Sequence, residues 1–168
     1  MKTLRLAGVV RESIVDGPGI RFTIFVQGCP HHCPGCHNAQ THDFSGGYDS
    51  DTDRLLAAIA KDPLLQGVTF SGGEPFEQAE ALAFLGREIK ARGLNLISYS
   101  GYTFEQLLAG ASQRPDWLEL LKQCDYLIDG RYEQEKRDLT LHFRGSSNQR
   151  ILDVPQSLTE GRAITVEL

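Results

Sequence analysis

No apolar run in the 168-residue chain approaches the roughly 18 residues that a membrane-crossing helix needs. The opening stretch MKTLRLAGVVRES holds a lysine and an arginine, but no continuous apolar segment of the signal-peptide kind. Positive charge is not in excess either. Seventeen lysines and arginines face 22 aspartates and glutamates, a formal net charge of −5. A field of that sign gives no general hold on nucleic acid or an anionic membrane, so neither is expected as a partner. Internal repeats, low-complexity tracts and long linkers are also missing. What is left is a length suited to one core, with 40% hydrophobic and 23% charged residues. The expectation is a single cytoplasmic domain spanning residues 1–168.

Cysteine is scarce, with four in all, and in a cytoplasmic chain so few do not make a disulfide framework. Three of them, Cys29, Cys33 and Cys36, fall within eight residues in QGCPHHCPGCHN, with His31, His32, His37 and His42 close by. Cys124, in LLKQCDYLIDG, precedes a strand-like run and reads as a small core residue, its other reading being a distant metal ligand. Thiolates select soft metals, zinc and iron–sulfur clusters first among them. A zinc site would recruit a histidine or Cys124 as fourth ligand. A [4Fe–4S] cluster would use the three cysteines and keep one iron open. Free thiols are the third reading. Structural zinc sites usually pair their cysteines in two separated knuckles, whereas one compact C-x3-C-x2-C loop bends around a single object. That compactness favours the cluster.

Strand and helix patterns alternate along the rest of the chain. IRFTIFVQ (20–27) is β-branched and aromatic and delivers the cysteine loop at its end. DSDTDRLLAAIA opens on capping-type residues and sets Leu55, Leu56 and Ile59 on one helical face. GVTFSGGEP (67–75) is a short strand running into a Gly-Gly turn, followed by a helix over 77–92 with Leu82, Leu85 and Ile89 inward and Gly93 as its stop. Strands over 94–101 and 125–130 bracket short helices in TFEQLLAG and PDWLELLKQ, the second with Pro115 in its first turn. RILDV and RAITVEL read as two closing strands. Such alternation predicts βαβ units and a parallel sheet. A complete eight-unit barrel takes about 250 residues, so the expected α/β fold is a partial, open βα barrel. In that topology the cysteine loop, the Gly-Gly turn, SYSG and DGRY gather at the C-terminal edge of the strands. Trp117 reads as packing on its amphipathic helix, and RYEQEKRD as a solvated charged face.

The C-x3-C-x2-C loop resembles the signature of radical S-adenosylmethionine (SAM) enzymes. VDGPGIRFTIFVQGCPHHCPGCHN is similar to the N-terminal segment of glycyl-radical-enzyme activases within that family, and SGGEP to its methionine-binding turn. DGRYEQEKRD followed by FRGSSNQRI narrows the resemblance to the activating proteins of anaerobic ribonucleoside-triphosphate reductase, over about residues 12 to 153. The resemblance implies a partial barrel of radical SAM type. It also implies a [4Fe–4S] cluster on Cys29, Cys33 and Cys36, whose open iron takes the amino and carboxylate groups of SAM. One-electron cleavage of SAM then yields a 5′-deoxyadenosyl radical. Its target is the glycyl radical loop of the reductase. No second cysteine cluster is present, so the electron comes from an external donor such as flavodoxin or ferredoxin.

For the other motifs, the resemblance implies that Gly72, Gly73 and Glu74 face the methionine ammonium. Asp129 would meet the ribose or a cation, and Arg131 the methionine carboxylate, for which a planar fork is suited. Ser100 lies at the same edge. Asp16, in DGPGIR, belongs to a shaping loop near the entry of the partner's glycine, and Arg144 and Asn148 to a subfamily feature near the cofactor or the partner. The chain departs from the family in having Gly35, where many members carry an aromatic residue against the adenine. Two other functions stay open at this level: a zinc-stabilised binding module, and an activase of another glycyl radical enzyme such as pyruvate formate-lyase. FRGSSNQ and the short length weigh against the second.

Overall fold

The computed structural model describes residues 1–168. One seven-stranded sheet runs through it in the order β3-β1-β2-β4-β5-β6-β7. The strands are β1 (Thr3–Ser13), β2 (Arg21–Val26), β3 (Tyr48–Asp51), β4 (Gly67–Gly72), β5 (Asn95–Ser100), β6 (Tyr126–Asp129) and β7 (Arg150–Asp153). The helices are α1 (Thr52–Ala60), α2 (Ala79–Ala91), α3 (Phe104–Gly110), α4 (Pro115–Gln123) and α5 (Val154–Glu160). The four central strands β2, β4, β5 and β6 are parallel, as the alternating pattern predicts. The flanks differ from the all-parallel expectation: β1 is antiparallel to both β2 and β3, and β7 is antiparallel to β6. The sheet is therefore mixed. No helix is long and apolar enough to cross a membrane.

Strand alternation sends successive side chains to opposite faces. Phe22, Ile24, Val26, Val68, Phe70, Leu96 and Leu127 turn to one face and join Leu55, Ile59, Leu82, Leu85, Ile89, Leu120 and Leu121 of the helices in the main core. Fully burying such a side chain stabilises by about 1.5–3 kcal/mol, which holds the helices to this side. Cys124 and Trp117 pack here as well, the indole Nε1 donating to the Phe76 carbonyl at 2.9 Å. On the opposite face Ile97, Ile128 and Ile151 form a small cluster with Tyr99, Tyr126, Phe143, Val166 and Leu168. That face is covered by irregular chain. The loop before β2 lies on it so closely that a Cβ on Gly17 (φ +135°) would sit 2.7 Å from Ile97 Cδ1.

Four stretches depart from the sequence expectation. β1 lies in the stretch read only for its lack of a signal peptide. Its Leu4 and Leu6 are buried at alternate positions before an irregularity between Leu6 and Gly8 breaks the pairing. β3 occupies residues expected to start a helix, and Asp51 at its end caps α1 by accepting from Arg54 N. The stretch 162–168 is not a strand and makes only an isolated bridge between Leu152 and Thr165. α5 precedes it, with Asp153 as N-cap, Pro155 in the first turn and Gly161 in the left-handed conformation at its end.

Candidate metal and cofactor site

Each parallel strand ends at the same edge of the sheet, and the loops that follow bound a cavity of about 620 Å³. Cys29, Cys33 and Cys36 line one wall, Gly72 and Gly73 another, and Ser100, Arg131 and Arg144 also face in. This is the convergence that the strand pattern predicts. All three cysteines are free thiols, Cys29 buried and the other two partly exposed. Burial pushes the Cys29 thiol up to about 11, opposed in part by the backbone amides of His31 and His32, and raises Cys33 too. Metal ligation requires thiolates, so binding at this loop releases protons.

The loop is anchored at its two ends. Gly28 N donates to Thr41 O and Cys29 N to His42 O, while the Gln27 amide donates to the carbonyls of Gln40 and Asp43. Cys36 N donates to Cys33 O, and Gly35 at φ +73° makes the turn between them. Gly35 matters for a second reason: a Cβ there would lie 2.8 Å from Cδ of Gln134, so the segment after β6 reaches across to the cysteine loop. In that segment Tyr132 lines the cavity and packs on His37 at 5.3 Å between ring centroids. Gln149 holds the segment together, accepting from Gly145 N and Ser146 N and donating to Gly130 O. Tyr132 and Gln149 lie inside the DGRYEQEKRD and FRGSSNQRI motifs, but neither was assigned an individual role.

The Gly-Gly turn is dictated by backbone contact. Gly73 N donates to Val26 O and Glu74 N to Gly28 O, both at 2.8 Å, and a Cβ on either glycine would fall within 2.8 Å of the β2 exit backbone. The Glu74 side chain does not line the cavity. Its carboxylate has no exposed surface and accepts from Gly101 N (2.7 Å), Phe76 N (3.0 Å), the Ser100 hydroxyl and His31 Nε2 (2.7 Å). Ser100 borders the cavity but directs its hydroxyl hydrogen to that carboxylate.

Asp129 is likewise engaged within the protein. Its buried carboxylate accepts from Phe104 N at 2.7 Å, at the start of α3, and from Arg150 Nη2 at 2.6 Å and Nε at 3.0 Å. It does not border the cavity, and Arg150 turns on to Glu105. Asn148 also does not line the cavity; its amide donates to the Arg131 carbonyl, fixing the backbone of a residue that does. Arg144 lies on the wall, donates to Gln149 O, and has a buried Nε without a partner. Asp16 faces the cavity while accepting from Ser13 and Thr23 hydroxyls, and its carbonyl accepts from Thr69.

Sequence reasoning gave no individual role to Arg21, the last residue of DGPGIR. It is buried and donates to Thr69 Oγ1, Pro18 O, Val68 O and Asn95 Oδ1 at 2.8–3.0 Å. Those acceptors are neutral, and burial lowers the guanidinium to about 10. Its bonds pin the turn-rich loop against the sheet.

The donor set fits a thiolate-held group larger than one ion. Three free thiols share a wall of one cavity that His37 and His42 also line, while two other candidates for a fourth protein ligand are engaged elsewhere. His31 is paired with Glu74, and Cys124 is buried in the core on the helix face, its thiol directed to Leu120 O. No three His, Cys, Asp or Glu side chains converge as a single ion requires.

Residues 15–152 match the family described as the 4Fe–4S single cluster domain. The chain is 38% identical over 144 residues to the anaerobic ribonucleoside-triphosphate reductase-activating protein of Pasteurella multocida, covering 81% of this chain and 89% of that one. It is 36% identical over 143 residues to the protein of that name from Enterobacteria phage T4 (82% and 86% covered). For the one from Escherichia coli K12 the figures are 33% over 144 residues, with 81% and 90% covered. Among solved structures, QueE from Escherichia coli aligns over 60% of this chain and 53% of that one, with a TM-score of 0.48 and 18% identity, a likeness too loose to carry weight.

Proposed function

This chain belongs to the anaerobic ribonucleoside-triphosphate reductase-activating proteins, a family built on the 4Fe–4S single cluster domain, and from that membership we infer that it installs a glycyl radical on the reductase. Cys29, Cys33 and Cys36 would hold the [4Fe–4S] cluster, and SAM would occupy the cavity beside them. The whole of 1–168 acts as one radical SAM unit in the cytoplasm. Bound there, a [4Fe–4S] cluster would supply one electron, drawn from an external donor such as flavodoxin or ferredoxin, for reductive cleavage of SAM to methionine and a 5′-deoxyadenosyl radical, which would take a hydrogen atom from a glycine Cα of the reductase.

The chain's own residues bind, orient and enclose. Gly72 and Gly73 bring backbone polar groups to the cavity wall, where they serve the methionine ammonium. Arg131 supplies a fork for the carboxylate, and Arg144, with an unpartnered Nε, a second donor toward cofactor or partner. Asp16 shapes the floor where the partner's glycine enters. Glu74, Asp129 and Asn148 act at one remove, by fixing the loops that carry these groups. The unclosed sheet, ending at β3 on one side and β7 on the other, supports a partial barrel with a lateral opening for a polypeptide loop.

The observation that carries this reading is the sharing of one cavity by three free thiols, the Gly-Gly turn and two arginines. To test it, the chain is reconstituted with iron and sulfide without air, then reduced in the presence of SAM. Release of 5′-deoxyadenosine by the wild type, and none by Cys33→Ala, is the expected result. Equal release by both removes Cys33 as a ligand, and release by neither rejects the reading.

A further inference from the structure

His31 stands midway between Cys29 and Cys33, and the contacts assigned above give it no task. Its Nε2 lies 2.7 Å from Oε1 of Glu74, and the two side chains are 3% and 0% exposed. With a carboxylate as acceptor, Nε2 is the nitrogen that carries the proton. The ring is confined on two further sides. Tyr102 meets it edge-on at 4.6 Å between centroids. A Cβ on Gly101 would sit 2.4 Å from its Cδ2, so only glycine leaves room for it there.

Pro30, His31 and His32 make no backbone–backbone hydrogen bond to any part of the chain. The imidazole–carboxylate bond is the hydrogen bond that ties this stretch down. Glu74 in turn gathers three elements: the turn after β4 through Phe76 N, the end of β5 through Gly101 N and Ser100, and the cysteine loop through His31. Glu74 also follows Gly72 and Gly73 directly, and its own amide donates to Gly28 O, next to Cys29.

We propose that His31 is a positioning residue. Through Glu74 it fixes the stretch between the first two cysteines against the Gly-Gly turn, so that the thiolates and the methionine-binding backbone are held as one rigid body. The proposal rests on the cluster reading and concerns how firmly the cluster is held. Partners behind metal ligands act in this way: they orient the ligands, and their loss costs about 10–100-fold in affinity.

Two substitutions separate a hydrogen-bonded tether from mere packing. His31→Gln keeps a donor within reach of Glu74. His31→Leu fills similar space beside Tyr102 and cannot donate. Circular dichroism and the thermal midpoint of the metal-free chains establish folding. Each chain is then loaded with iron and sulfide, and iron loss to excess chelator is timed by the fading of cluster absorbance. The electron paramagnetic resonance of the reduced cluster is recorded with and without SAM. His31→Gln is expected to keep iron as the wild type does, whereas His31→Leu loads but loses it about tenfold faster or more. Its spectrum is also expected to respond more weakly to SAM. A leucine variant that holds iron as long as the wild type overturns the proposal, and so does loss in both variants alike. If His31→Leu does not fold, Gly101→Ala puts the same question, because the added methyl must displace the imidazole. Wild-type iron retention in that variant also overturns the proposal. A wild-type chain that takes up no cluster rejects the reading beneath it as well.

Discussion

A carboxylate with no exposed surface that accepts from an imidazole, a hydroxyl and two backbone amides has no lone pair to offer a ligand's ammonium. The Glu74 carboxylate is thus engaged within the protein, in the turn that the family resemblance assigns to the cofactor. Glu74→Gln replaces an acceptor-only group by one with two N–H donors, facing donors on every side. The loss expected is about 1–3 kcal/mol of stability, read as a lower denaturant midpoint. An unchanged midpoint contradicts the network. Asp129 has the same character, its charge matched by Arg150. The partners of these two acids explain why their roles were not legible: His31 is 43 residues from Glu74, and Arg150 is 21 from Asp129. A single sequence displays local spacing, and the cysteine loop is all local spacing. It holds no trace of which distant donor folds back onto an acid.

At the scale of elements, the same division between local and distant holds. The four parallel strands and the helices between them were readable because their burial is periodic and their ends carry caps and glycines. Of the antiparallel flanks, β7 was readable in RILDV, and the other two were not. β1 is interrupted by irregular pairing, and β3 is a four-residue edge strand whose residues YDSD look like a helix start. α5 was missed despite its signals, since Asp153, Pro155 and Gly161 punctuate VPQSLTEG as cap, first turn and stop. A strand reading of the flanking RILDV and RAITVEL absorbed the stretch. Because Asp153 accepts from Gln156 N at 3.0 Å, Asp153→Ala is expected to cost about 1 kcal/mol. For a chain of this size that lowers the thermal midpoint by about 2–4 °C. A melting curve identical to the wild type contradicts the cap.

Over the whole molecule, the helices all serve the core on one face of the sheet, and irregular chain covers the other. That asymmetry makes the cavity. The pinned loop before β2 forms its floor, the segment after β6 crosses to the cysteine loop at Gly35, and the parallel strands deliver the motifs at one edge. Gly35 has a reason at this scale besides its left-handed turn, since a side chain there would have to displace Gln134. The central claim is that this cavity generates a radical for another polypeptide. Its most direct test is electron paramagnetic resonance of the purified anaerobic reductase after incubation, without air, with the reduced, cluster-loaded chain and SAM. The account predicts a glycyl radical signal that needs both the chain and SAM. A reductase that stays silent while the chain carries a full cluster and cleaves SAM contradicts it.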